Sequence, residues 1–323
     1  MTVLGPVPVG ELGVTDAHSH LYISRVAGGA ADAPVLTDED GVARELATFR
    51  AAGGGAIVDC QPGGCGRDGR ALRRLSERSG VHVVAATGFH RRLYYPPDAP
   101  LFNLSAEAAA DVFRDEIRHG LIETRTNQIA SGPPASGAVG EAGETPAIRP
   151  GVIKIAAEAS LAASPQALFA AAAAVARETG YAIEMHTERG AAVEAFLDTF
   201  IAQGVAPERL VFCHVDKRPD FGLHRELARA GVLLEYDTFF RPKYDPERGV
   251  WPLIGQMAGA GLAGSVALAT DMADPGLWAE LGGGPGLLGI FTIIGARLTD
   301  MGLPAATIGG LLGGHIAARL AVN

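Results

Sequence analysis

The chain has 323 residues, 48% of them hydrophobic, 43 of them glycine and three cysteine (Cys60, Cys65, Cys213), with a net charge of −9 and a pI near 5.5. That is enough apolar material for one large core, and the acidic balance argues against a nucleic-acid partner and offers no basic patch to a membrane surface. An odd cysteine count without framework spacing implies reduced thiols and a cytoplasmic setting. The start, MTVLGPVPVG, lacks the basic and apolar regions of a signal peptide, and no apolar stretch reaches the roughly 18 residues a membrane span needs.

In chain order, residues 1–15 read as a short β-hairpin, VLGPVPV and LGVTDAH about a Gly-Glu turn, and 28–33 as loop. Apolar spacing at Val42, Leu46 and Phe49 predicts a helix over 38–52, capped by Thr37 or Asp38 and stopped by GGG. A strand at 55–60 (GAIVDC), a helix at 70–79, a strand at 81–87 (VHVVAAT) and a helix at 105–119 follow. Then come a strand at 151–156 (GVIKIA) and a helix at 165–179, with Ser164 as N-cap and proline at its first position. The rhythm continues with a strand at 181–186 (YAIEMH), a helix at 191–203, a strand at 210–214 (LVFCH) and a helix at 223–230. A strand at 232–236 (VLLEY), a helix at 253–260 and a strand at 266–271 (VALATD) complete it. Two helices within 286–320, parted near Gly302-Leu303-Pro304, end the chain. Segment 121–150 is rich in Gly, Pro, Ala and Ser and reads as a surface insertion, inert or acting as a lid.

Short, nearly continuous apolar strands suit a parallel sheet buried on both faces, and their alternation with helices implies β-α units. About eight units predict a single domain over 1–323, a (β/α)8 TIM barrel with a short N-terminal β-hairpin. A doubly wound open sheet is the alternative, opposed by the lack of a Gly-rich dinucleotide fingerprint after the first strand.

Asp16-Ala17-His18-Ser19-His20 ends the first strand. Residues i and i+2 of a strand share a face, so His18 and His20 would project two imidazoles into one space where a metal ion can bind both. Alone the spacing is weak. His186 ends the fifth strand, His214 the sixth and Asp271 the eighth, while Lys154 lies inside GVIKIA. In a barrel all the C-terminal strand ends face one mouth, so these six side chains would converge. A lysine in a buried strand needs a partner. Either Asp59 or Glu184 supplies an ion pair, or its neutral amine has reacted with CO2 to give a carbamate able to bridge two cations.

With His-Ser-His (18–20), Gly-Cys-Gly-Arg-Asp (64–68), Thr-Gly-Phe-His (87–90), the Ile-Lys of GVIKIA, Met-His-Thr (185–187), His-Val-Asp (214–216) and Thr-Asp-Met (270–272), the chain resembles the phosphotriesterase family of the amidohydrolase superfamily. The resemblance spans essentially the whole chain apart from the 121–150 insertion. It implies that His18, His20 and Asp271 hold a more buried divalent metal and His186 and His214 a more exposed one, with carboxylated Lys154 and a hydroxide bridging them. Zinc is the first expectation, manganese or cobalt the others, because ligand type alone does not choose. It further implies hydrolysis of a small-molecule ester, with the bridging hydroxide as nucleophile, His214 in the catalytic set and Asp271 relaying the proton. Asp216 either orients a ligand from behind or is a plain surface residue. The family often forms homodimers.

For the substrate, the resemblance leans to the lactonase and sugar-lactonase branch, carried by Tyr94-Tyr95-Pro96, by Phe240-Arg241-Pro242-Lys243-Tyr244 and by Gly282 to Gly286. Arg241, Lys243 and Tyr244 sit beyond the seventh strand, as anion binders or as a solvated basic loop. That branch tends to follow Asp271-Met272 with an arginine and a tyrosine for phosphate, whereas this chain has Ala273-Asp274-Pro275-Gly276-Leu277-Trp278. Asp274 would repel a phosphate and Trp278 could line an apolar wall, so an unphosphorylated lactone is expected. His90 and Tyr94 are further candidate substrate contacts, His90 alternatively packing at the third strand end. The alternatives are a phosphotriesterase or phosphorylated sugar-lactone hydrolase on the same site, or a binding protein on a retired barrel. The last would have lost ligands, and none is lost.

Overall fold

The computed structural model describes residues 1–125 and 146–322. Eight parallel strands run in sequence order: β1 Val14–Ser19, β2 Gly54–Asp59, β3 His82–Gly88, β4 Val152–Ala156, β5 Ile183–His186, β6 Leu210–Cys213, β7 Leu233–Tyr236 and β8 Val266–Leu268. Between them lie α1 Glu39–Ala51, α2 Gly69–Ser79, α3 Ala106–His119, α4 Gln166–Thr179, α5 Val193–Ala202, α6 Phe221–Ala230 and α7 Val250–Gly259. This is the (β/α)8 barrel expected from the pattern.

The pleat divides each strand between two cores. Ala17, Val58, Val84, Val152, Ala182, Val211, Leu233 and Ala267 fill the barrel interior, joined from below by Ile316 and Leu320 of the last helix. Their outward neighbours, such as Ile57, Val83, Ile153, Ile183, Phe212 and Leu234, pack under the helices. One layer above the interior aliphatics, the same inward register carries Lys154, Glu184, Cys213 and Glu235, all fully buried. The polar site is thus a continuation of the core stripe.

The seam between β8 and β1 is closed by side-chain chemistry. Asp16 accepts from Thr270 N–H at 3.0 Å and Thr270 Oγ1 at 2.5 Å, and Asp271 N–H donates to the His18 carbonyl at 2.9 Å. At the base, Gly313 (φ +151) presses on Thr15 N and the Gly13 carbonyl, where any Cβ would collide.

Three expectations need correction. The N-terminal segment is not a hairpin: it forms an isolated bridge between Thr2 and Gly5 and a 3-10 turn at Val9–Glu11, because Pro6 and Pro8 have no N–H to give a ladder. Ser164 does not cap α4; Pro165 occupies that position, and the Ser164 hydroxyl accepts from Glu158 N–H and donates to the Ser160 carbonyl. The two C-terminal helices are interrupted, with a π-helical stretch at Ile290–Gly295 and a kink at Leu312 and Gly313. The 121–150 segment falls mainly on 126–145, outside the described residues; its two ends are pinned together by Leu121 N–H to the Ile148 carbonyl at 2.8 Å.

Arg67, from the Gly-Cys-Gly-Arg-Asp motif, is buried and serves this same region. It pairs with Glu116 of α3 at 2.5 Å and Glu123 at 2.7 Å, and reaches the Ala86 carbonyl. It ties the loop after β2 to the end of α3.

Candidate metal centre

The strand ends bring the expected donors together. Ring centroids of His18 and His20 lie 5.4 Å apart, those of His18 and His214 4.8 Å, and those of His186 and His214 4.8 Å. Asp271 Oδ1 is 3.8 Å from His20 Nε2 and 3.9 Å from His18 Nε2. His18, His214 and Asp271 form one group whose ligand atoms suit a metal ion. β6 ends at Cys213 because His214 (φ +63) turns into the left-handed region, and Asp271 (φ +47), three residues beyond the end of β8, lies there too. Such strain in non-glycine residues collects at functional sites.

The second ring nitrogen of three histidines is spoken for. His18 Nδ1 is 2.8 Å from Glu235 Oε1, His20 Nδ1 is 2.8 Å from Gln61 Oε1, and His214 Nδ1 faces Asp237 Oδ2. Each acceptor fixes the proton on Nδ1 and leaves Nε2 with its lone pair, the arrangement of a metal-ligating imidazole. His186 Nε2 is buried without a hydrogen bond, and the nearest carboxylate is Glu188 Oε2 at 3.8 Å, which leaves the nitrogen available as a ligand atom. Burial pushes His20 down to about 3 and His186 down to about 4, so both are neutral and ready to ligate at pH 7. Burial presses on His18 too, but the negative groups around it, Glu235 among them, hold it above its ordinary value, so His18 must give up its Nε2 proton to ligate. The donor set therefore fits divalent metal.

Lys154 Nζ is fully buried, 3.7 Å from Glu184 Oε1 and 3.6 Å from Cys213 Sγ. Of the two expected ion-pair partners Glu184 is the one in reach; Asp59 instead accepts from Leu21 N–H at 2.7 Å. Asp216 is not at the surface. It is buried and accepts from Asp237 N–H at 3.0 Å, Thr238 N–H at 2.9 Å and Thr238 Oγ1 at 2.7 Å, so it holds in place the residue that holds His214. Burial pushes the Asp271 carboxyl up, but Arg241, 2.7 Å away, with His214 and His18, keeps it well below the usual carboxylate range.

A cavity of about 140 Å³ opens above the donors, lined by His18, His20, His90, His186, His214, Gln61, Tyr94 and Asp271. Its outer wall comes from the loop after β1: Ile23, Val26, Ala30, Ala33, Pro34 and Val35. Sequence reading passed over this loop, and also over Gln61, Glu235 and Asp237. Of the other expected contacts, Arg241 bonds Asp271, while Lys243 and Tyr244 lie outside the cavity lining, the Lys243 ammonium 5.1 Å from the Tyr244 ring. Trp278 is fully buried, donating from Nε1 to the Met272 carbonyl at 2.9 Å, and does not line this cavity. Asp274 caps its own exposed turn, accepting from Gly276 N–H at 2.9 Å. All three cysteines are buried free thiols, and no helix among the described residues is long and apolar enough to cross a membrane.

The model of the phosphotriesterase family matches residues 1–133 and 137–312. The chain belongs to that family. Among its relatives, a phospho-furanose lactonase of Mycoplasmopsis synoviae is 27% identical over 285 residues, covering 84% of this chain and 75% of the relative. An N-acetyltaurine hydrolase of Tetraodon nigroviridis is 28% identical over 270 residues, covering 74% and 71%. Among solved structures, a mutant phosphotriesterase-like lactonase of Deinococcus radiodurans superposes with a TM-score of 0.79 at 26% identity over 99% of both chains. A lactonase of Listeria monocytogenes reaches 0.86 over 100% of this chain and 98% of its own at 20% identity, a likeness of fold. The protein is therefore a hydrolytic enzyme of the phosphotriesterase family, with its candidate donors at the mouth of the family's barrel.

Proposed function

We propose that this protein is a binuclear metal-dependent hydrolase that opens a lactone, a cyclic carboxylic ester, to its hydroxy acid. The observation that carries the reading is the set of Nδ1 anchors: Glu235, Gln61 and Asp237 turn three imidazoles at one mouth into ligand-ready form. By this reading His18, His20 and Asp271 hold one ion, His186 and His214 the other, and Lys154, carboxylated by CO2, joins them. Zinc, manganese and cobalt all suit an imidazole and carboxylate donor set. When bound, such ions lower the pKa of a water towards neutrality, roughly 7 on a single zinc, and polarise the ester carbonyl.

The chain's own groups supply the rest. Arg241 holds Asp271 Oδ2 at 2.7 Å, which leaves Oδ1 on the imidazole side. Asp271 is thereby ionised at neutral pH. It takes the proton released on attack at Oδ1 and, as a weak base, returns it to the departing alkoxide. The wall of Val26, Ala30, Ala33 and Pro34 supports an uncharged ring substituent, since it sheds water from that side of the cavity.

A second reading has one observation in its favour. Lys217 and Lys243 flank the Tyr244 ring at 5.4 and 5.1 Å, and neither forms a salt bridge among the described residues. That pair favours a phosphorylated lactone. The test is proton release from γ- and δ-lactones, sugar lactones with and without phosphate, and one phosphate triester, on metal-loaded and chelated protein. Fastest turnover of an unphosphorylated lactone, abolished by chelation, is the expected result. A winning phosphorylated lactone would move the assignment to the second reading, and turnover of the triester alone would overturn both.

A further inference from the structure

His90 stands in the same cavity as the ligand histidines but is wired the opposite way. At the end of β3, Phe89 turns outward and packs against Phe169 and Phe102, ring centroids 5.8 and 6.3 Å away. Alternation then sends His90 inward over the mouth, where it lines the cavity beside Tyr94, 4.7 Å between centroids. The His90 backbone N–H donates to the Tyr95 hydroxyl at 2.9 Å. Its ring nitrogen Nδ1 accepts from the Arg91 backbone N–H at 2.7 Å. A backbone N–H can only donate, so Nδ1 carries the lone pair and the neutral ring carries its proton on Nε2. In His18, His20 and His214 the protein offers Nδ1 an acceptor; in His90 it offers a donor. Among the described residues nothing accepts from His90 Nε2.

We infer that His90 is a substrate-binding catalytic residue and not a metal ligand: its Nε2–H donates a hydrogen bond to the substrate oxygen that gains negative charge during ester attack. No proton is transferred and no bond to His90 forms or breaks. The ring is a fixed neutral donor, held by its own following residue, so it needs no reorganisation as charge develops. The inference rests on the hydrolase reading of this cavity. Its tautomer component does not.

The test compares wild type with His90→Gln, whose side-chain amide can place an N–H near the Nε2 position, and His90→Leu, which has no donor. Three readouts are taken on protein loaded with zinc: bound metal per chain, kcat and KM on the best lactone, and the 15N chemical shifts of the histidine rings. The donor role predicts unchanged metal content in both variants. It predicts a loss in kcat of about 100-fold or more in His90→Leu, a smaller change in KM, and recovery of at least tenfold of that loss in His90→Gln. It also predicts a 15N signature of the Nε2–H tautomer for His90. Loss of metal in His90→Leu would make it a ligand and overturn the inference. So would a kcat within threefold of wild type, a failure of His90→Gln to recover any activity, or an Nδ1–H signature. If the wild type opens no lactone, the functional reading fails separately, while metal content and the 15N signature still decide whether His90 is donor or ligand.

Discussion

Gln61 offers the cleanest perturbation of the candidate centre because it carries no charge. Its carbonyl is the acceptor for His20 Nδ1–H at 2.8 Å, and His20 is buried. Gln61→Met keeps the length and volume of the side chain and removes the acceptor. Without metal, His20 can relax by moving its proton to Nε2. With metal, Nε2 must keep its lone pair, so the Nδ1 proton is left without an acceptor in a buried position. A stranded buried donor costs about 1–3 kcal/mol, which corresponds to roughly a 5- to 150-fold loss of affinity. The Gln61 amide also donates to the Cys65 carbonyl; losing that bond weakens free and loaded protein alike, so it lowers the melting temperature and cancels from the affinity. The assay is competition for zinc against a chromophoric chelator, with metal content measured in parallel. Gln61→Glu, which keeps and strengthens the acceptor, should bind zinc at least as tightly as wild type. Binding by Gln61→Met within twofold of wild type would refute the argument, as would equal losses in both variants.

Removing metal should destabilise the whole fold, since the donors come from opposite ends of the chain. One ion at about 1,000 times its dissociation constant adds about 4 kcal/mol, so chelation should lower the melting point in calorimetry by about 6 °C per ion removed. Glu116→Gln should destabilise through Arg67. Burial pushes Glu116 up, but the Arg67 guanidinium, the Thr87 hydroxyl and Ile122 N–H more than offset it and leave the carboxyl below its ordinary value. Its stabilisation is therefore complete above the ordinary carboxylate pKa and is lost as pH falls through the depressed one. Because Glu123 still pairs with Arg67, losing the charge-assisted bonds to Glu116 costs about 1–3 kcal/mol. Denaturant midpoints should show a gap of about that size between variant and wild type at pH 7, shrinking as the pH falls below about 4.

The barrel and the convergence of its candidate donors were readable because both obey simple periods. Strand ends share one mouth, so His18, His186, His214 and Asp271 could be grouped without knowing a single distance. The acceptors behind them were not found, since Gln61, Glu235 and Asp237 meet their histidines across strands far apart in sequence. A signal did exist. Glu184 and Glu235 interrupt apolar strands just as Lys154 does, and the rule that demands a partner for one demands it for all three. Trp278 and Asp274 were misplaced for the reverse reason. Their positions follow from hydrogen bonds to Met272 and Gly276 within one loop, which residue type does not reveal. The N-terminal hairpin was an error of chemistry that Pro6 and Pro8 already argued against.

The seam between β8 and β1 also sets a clock. Thr270 leaves the ribosome 254 residues after Asp16. At about 5–20 residues per second the wait between them is on the order of ten to fifty seconds. Through that interval β1 has a neighbour on one side only, and the two halves of the Asp16–Thr270 clasp do not yet coexist. The cavity has no far wall until β8 arrives. An ion that needs donors from both ends is therefore captured by a finished barrel, from whatever cations surround the chain at release. Under the proposed metal reading, metal identity is then a record of the cations present at the end of synthesis, and expression of the same gene in zinc-rich and manganese-rich cells should yield proteins differing in metal and in nothing else.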